Sequence, residues 1–164
     1  MMYLKSLILT ALLVLSTGVA VADANDYVET QWKELVPEGY KPPPVRSQAF
    51  YENNPDLAMQ PELDAPMVAS LDGKRIKIPG YVVQLEGDAE KVTEFLLVPY
   101  FGACIHVPPP PPNQIILVRF PQGVPYEHTF DAVWVEGTIK VERAEGQVAV
   151  VGYQLEAVTV TPYY

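Results

Sequence analysis

Five consecutive prolines, Pro108 to Pro112, interrupt the chain and limit what can form around them. Proline fixes φ and removes the backbone donor, so this run cannot join a sheet ladder. It is expected as a stiff, extended polyproline II segment. The run closes the stretch FGACIHVPPPPPNQ, Phe101 to Gln114, which also holds the only cysteine, Cys104, and one of two histidines, His106. A thiol and an imidazole are thus placed at the mouth of a rigid segment. Any chemistry in this chain is expected there.

On both sides of that stretch the sequence has the two-residue period of strands. Lys74 to Glu86, KRIKIPGYVVQLE, alternates apolar and polar residues, with a bend or bulge expected at Pro79-Gly80. Glu94 to Tyr100 and Gln114 to Phe120 are the second and third strands. Phe130 to Glu142 is the fourth, with a bulge expected at Gly137, and Val148 to Thr161 is the fifth, bent or split near Gly152. Five strands with little helix predict a mostly β protein, a small antiparallel five-stranded barrel of OB type, with a β-sandwich as the alternative. Closure would remove the edges that such β-rich segments expose. Before these strands, residues 26–66 are polar, aromatic and broken by prolines. Trp32 and Leu35 suggest a short turn of helix starting near Thr30, and a second is expected around Pro55 to Met59. This arm is expected to pack its aromatics against the barrel. The expected organisation is therefore 1–24 signal peptide, 25–69 irregular arm and 70–164 barrel.

The signal is read from Lys5, the apolar run Leu7 to Leu15, and small residues at Ala20-Val21-Ala22 or Ala22-Asp23-Ala24 that suit cleavage. The apolar run is too short to span a bilayer, and no later stretch reaches the length of a membrane helix. The expectation is an exported protein, periplasmic or secreted, that is not an integral membrane protein. Eleven basic and twenty acidic residues give a net charge of −9, which repels phosphate backbones and argues against nucleic acid as a partner.

A lone cysteine in an oxidising compartment has no internal disulfide partner. It is either a small buried hydrophobe or a metal ligand, a nucleophile or half of an intermolecular disulfide. Cys104 and His106 stand at i and i+2, which on a strand places both side chains on one face, and a local turn would bring them closer. His128, in PYEHTFD, is the only other histidine. Together Cys104, His106 and His128 would make a three-ligand zinc site with one open position, the arrangement of exchangeable or catalytic zinc. Copper also suits a thiolate with imidazoles, although no methionine follows Met67 to supply a downstream axial ligand. The simpler account of each residue is a packed Cys104, a His106 bonded to a backbone carbonyl and a loop His128. A Cys-His nucleophilic pair is the weaker enzyme reading. It would need an activated thiolate, and the sequence has no Cys-x-x-Cys and no G-x-S-x-G elbow. The third class is a metal-free docking module, in which the proline run is the preorganised surface that a partner reads.

Trp32 to Pro37 (W-x-x-L-x-P), Leu71 to Glu86 (LDGKRIKIPGYVVQLE), the Cys-x-His-proline run and Val133 to Ile139 (VWVEGTI) together resemble a family of exported bacterial proteins defined only as a domain of unknown function. The resemblance covers nearly all of the expected mature chain. Some members are encoded beside zinc-responsive ABC transporter components and a periplasmic histidine-rich partner. That setting implies metal handling, with ABC transporter components or a periplasmic metal-binding protein as partners. On this combined reading the chain is a zinc-binding accessory to metal uptake or trafficking. Docking to a membrane complex is the alternative.

Overall fold

The structure is a computed structural model that describes residues 26–164. The expected signal segment, 1–24, lies outside the described residues. In chain order the elements are β1 (Val28–Glu29), α1 (Gln48–Asn53), β2 (Arg75–Gly87), β3 (Lys91–Val98), β4 (Ile116–Pro125), β5 (Ala132–Lys140), β6 (Ala144–Glu145), β7 (Val150–Val151) and β8 (Tyr153–Pro162). Short 3-10 turns at Trp32–Leu35 and Pro55–Leu57 lie where the sequence predicts helical turns, and α1 lies just before the second of them.

Five of the strands close on themselves in the order β2-β3-β4-β8-β5, with β5 pairing back to β2. This is the order of an OB-type Greek-key barrel. Four of the pairings are antiparallel, and the fifth is parallel, with Ile116 opposite Tyr153 and Arg119 opposite Glu156. The barrel is therefore mixed where a purely antiparallel one was expected. A parallel neighbour needs a long crossover, and the chain between β4 and β8 supplies it through β5 and the small β6–β7 hairpin. β1 bonds outside the barrel, parallel to β2 at Val28↔Ile76.

Two glycines allow the closure. β2 leaves β5 and takes up β3 at Tyr81, beside the expected bend at Pro79-Gly80. A Cβ on Gly80 would stand 2.7 Å from the Leu97 side chain, so only glycine fits the corner. At Gly137 the β5–β8 register shifts, the expected bulge, and a Cβ there would collide with the Glu156 carbonyl and the Leu155 side chain.

The core has two parts. Ile78, Phe95, Leu97, Val118, Val135 and Leu155 fill the barrel interior. Leu96, Val98, Ile115, Leu117 and Val151 form a second cluster on the outer face of β3 and β4. Alternate residues of Phe95-Leu96-Leu97-Val98 thus belong to different clusters, and all four are buried. A strand covered on both faces loses its polar alternation. β5, with buried Val133, Val135 and Ile139 between half-exposed neighbours, keeps it.

The arm is bonded to the barrel at specific points. The Trp32 indole donates to the Pro79 carbonyl at 2.7 Å, and Leu35 is fully buried. Tyr153, also fully buried, accepts from the Val68 N–H and donates to the Leu35 carbonyl, both at 2.7 Å. Tyr153→Phe keeps the ring but leaves both backbone groups unpaired, at a cost of about 1–3 kcal/mol. Urea unfolding is expected to show a lower midpoint with an unchanged slope. An unchanged midpoint would mean that the hydroxyl does not hold the arm.

Candidate functional site

The connection from β3 to β4 carries Cys104, His106 and the proline run, and the outer core cluster positions it. Ala103 is buried in that cluster, and Cys104 and Tyr100 pack against it. The Gly102 carbonyl accepts from the N–H groups of Ile105, His106 and Val107, at 3.2, 2.8 and 3.2 Å, which folds the segment into a tight turn. Within it Gly102 and Cys104 both have positive φ, +82° and +65°. For a non-glycine residue such as Cys104 this conformation costs roughly 1–2 kcal/mol.

This turn separates the expected ligands. Cys104 faces the apolar cluster, and burial pushes its thiol up to about 12. His106 is exposed, its ring 6.3 Å from that of Phe101, in a different cleft. His128 sits on the 3-10 turn Tyr126–Thr129 between β4 and β5. Among the described residues no group of three or more His, Cys, Asp or Glu side chains could hold a metal ion. The i, i+2 rule applies to a strand, and this segment is a turn.

The proline run is bonded at most of its length. Pro111 is extended, at φ −55° and ψ 153°. The Pro110 carbonyl accepts from the Gln60 side chain at 2.9 Å, and Gln60 also exchanges two bonds with the Val150 backbone, at 2.7 and 2.8 Å. The Pro112 carbonyl accepts from the Gly152 N–H at 2.8 Å. Asn113 and Gln114 pin the end of the run, with the Asn113 amide donating to Pro66 at 2.8 Å and that of Gln114 to Trp32 at 3.0 Å.

Most of these bonds reach the N-terminal arm, and the arm supplies the opposite wall of a groove. Pro42, Pro43 and Pro44 face Pro108 to Pro111 across a volume of about 490 Å³, with Phe50, Tyr51 and Tyr100 among the lining. The Tyr100 phenol is pushed up to about 12 by burial, with the nearby Cys104 and Tyr51 adding to the shift. The thiol therefore lies near the phenols of this groove. Sequence reasoning found the second proline run and missed its pairing with the first. The available signal was the repetition itself, two proline runs each with aromatics nearby.

A second hollow, of about 430 Å³, lies on the outer face of β3 and β4 beside the β6–β7 hairpin. In OB barrels this face binds oligonucleotides and oligosaccharides. Among the described residues its one basic side chain, Arg119, is bound to Glu94 at 3.1 Å and Gln154 at 2.8 Å, with Glu156 at 3.6 Å. Among those residues no free cation remains there for a phosphate, in line with the acidic net charge.

The geometry thus defines a class, a small OB-type barrel whose N-terminal arm completes a rigid apolar groove. The chain belongs to the DUF3299 family, described as a protein of unknown function, whose profile matches residues 32–162. It is similar to a crystal structure of a DUF3299 family protein from Pseudomonas aeruginosa PAO1, at 46% identity and a TM-score of 0.75, covering 85% of this chain and 97% of that one. No curated protein matches.

The buried thiol has two measurable consequences. Cys104 should react with iodoacetamide at neutral pH at least about tenfold more slowly than free cysteine, with a rate still rising above pH 9. A plateau by pH 8 would instead reveal an activated thiolate. The fold favours the neutral thiol, so this stabilisation is complete below the ordinary value of 9.0 and is lost as pH rises toward about 12. Melting temperature should fall across that window, and later in Cys104→Ala.

Proposed function

We propose that the protein is an exported docking module that holds an extended, apolar segment of a partner protein in the groove between its two proline runs. The observation that carries this reading is the apposition of Pro42–Pro44 and Pro108–Pro111 across about 490 Å³, a volume within the usual range of ligand sites. Proline walls are already ordered, so a guest does not have to immobilise them. They offer carbonyl acceptors and no N–H donors, which suits a polypeptide that brings its own donors. The signal-like start of the chain supports export. The family resemblance supports a component of a membrane transport complex as the partner.

Zinc capture by Cys104, His106 and His128 is the second reading. It is favoured by one observation, the left-handed Cys104 in the turn that also carries His106. It requires the thiol to leave its apolar contacts. A thiol must lose its proton to bind zinc, and the burial that raises the Cys104 pKa to about 12 opposes that loss. Copper faces the same penalty. Burial likewise disfavours a thiol enzyme, because only the thiolate attacks.

A photo-crosslinking residue at Leu57 or Met59, both exposed on the groove wall, should give one discrete product in the producing cells. The same residue at exposed Val158 on β8 should not. Tyr51→Ala should cut the yield by about tenfold, the effect of losing one anchoring aromatic. Equal yields at all three positions would remove the groove. Native mass spectrometry of tag-free protein completes the test, since one zinc per chain, lost in Cys104→Ser, would make metal capture the function.

A further inference from the structure

A third cleft opens at the end of the barrel where the Gly102 turn meets the 3-10 turn before β5. It has a volume of about 390 Å³, and Tyr81, Phe101, His106 and Phe130 are among its lining. The rings do not stack flat. Phe101 meets Tyr81 edge-on at 5.9 Å and 74°, and it meets His106 at 6.3 Å and 42°. Across the cleft Phe130 is held edge-on by Tyr126 at 5.2 Å and 82°. Phe101 and Phe130 remain 68% and 60% exposed, unusually bare for such large apolar side chains.

Elsewhere three aromatic rings have a cation of this protein over them. Arg75 lies over Tyr27 at 4.5 Å, Lys77 over Trp134 at 5.1 Å and Arg46 over Phe50 at 5.6 Å. The third cleft has rings at several angles and, among the described residues, no lysine or arginine in its lining. Beside Phe130, Glu127 and Asp131 are exposed and make no ion pair among the described residues. Ring faces carry negative potential and bind cations within about 6 Å of the centroid. Adjacent carboxylates add charge-assisted bonds for a group that has donors to give.

We infer that this cleft binds a cationic side chain of a partner polypeptide, an arginine above all, between the rings of Tyr81, Phe101 and Phe130. Arginine is selected over a quaternary ammonium because the guanidinium is planar and stacks on rings, and its donors suit the exposed carboxylates in the chain around Phe130, whereas a choline headgroup has none. A second copy of this chain is disfavoured as occupant, because each copy carries a net charge of −9. The site is separate from the proline groove, so the failure of either leaves the other standing.

The test is an amide-resolved NMR titration of the whole protein with N-acetyl-arginine methylamide and with its neutral isostere, N-acetyl-citrulline methylamide. The arginine compound should perturb residues 101–106 and 129–131 saturably, while the citrulline compound binds at least about fivefold more weakly. Phe101→Leu and Phe130→Leu retain apolar bulk and remove ring potential, so each should weaken arginine binding by about fivefold while the remaining amide spectrum stays unchanged. Equal binding of the two compounds would reduce the cleft to a plain apolar surface and overturn the inference. So would the absence of any perturbation. Co-sedimentation with phosphatidylcholine vesicles, lost in the same variants, would overturn it in favour of a lipid headgroup.

Discussion

The hydroxyl of Tyr153 holds together two parts of the chain that the barrel alone would not join. Its ring is buried in the interior at the start of β8, and its oxygen bonds the backbone of the arm at Leu35 and Val68. A buried phenol needs such partners, and burial itself raises its pKa. The groove is made of one wall from the arm and one from the β3–β4 connection. Its width is therefore fixed by these clamps, together with those from Trp32, Gln60, Asn113 and Gln114. An apolar groove between loosely tethered segments would close on itself. Here polar bonds at its margins hold apolar walls apart.

The same constraint explains why the site stands over β3 and β4. These strands are buried on both faces, so their outer side chains require a cover. The connection from Pro99 to Ile115 and the β6–β7 hairpin provide it. Prolines suit the task, since a covering segment without N–H groups cannot compete for the strands' own partners. Their carbonyls still need donors, and Gln60, Gly152 and Gln114 supply them. Structural cover and candidate binding surface are thus the same residues.

Much of the barrel was legible because it depends on local periodicity. The short apolar runs EFLLV and QIILV, the alternation in KRIKI, and the glycines at the Gly137 bulge and the Gly152 break are all local signals. The parallel β4–β8 pairing was not legible, because it depends on which edge remains free after β5 has paired with β2. The arm was legible only as an arm. Its bonds to Pro110 and Val150 span 50 and 90 residues, and no local pattern encodes such partners. At the site the sequence located the segment, and the sense of its turn was not legible from spacing alone. Positive φ at Cys104 turns two residues that a strand would align toward different surroundings.

The charge balance bears on both candidate surfaces in the same direction. A chain with nine more acids than bases has few cations to spare, and those that lie over rings or against carboxylates are already committed. The proline walls carry no N–H donors, and the aromatic cleft offers ring faces. Each surface lacks what a basic polypeptide brings, N–H donors in the first case and positive charge in the second. Two surfaces with complementary demands can engage one partner at two points. The second contact then forms at the high effective concentration set by the first. A modest affinity at each would suffice for a stable complex, with increasing salt weakening the cationic contact first.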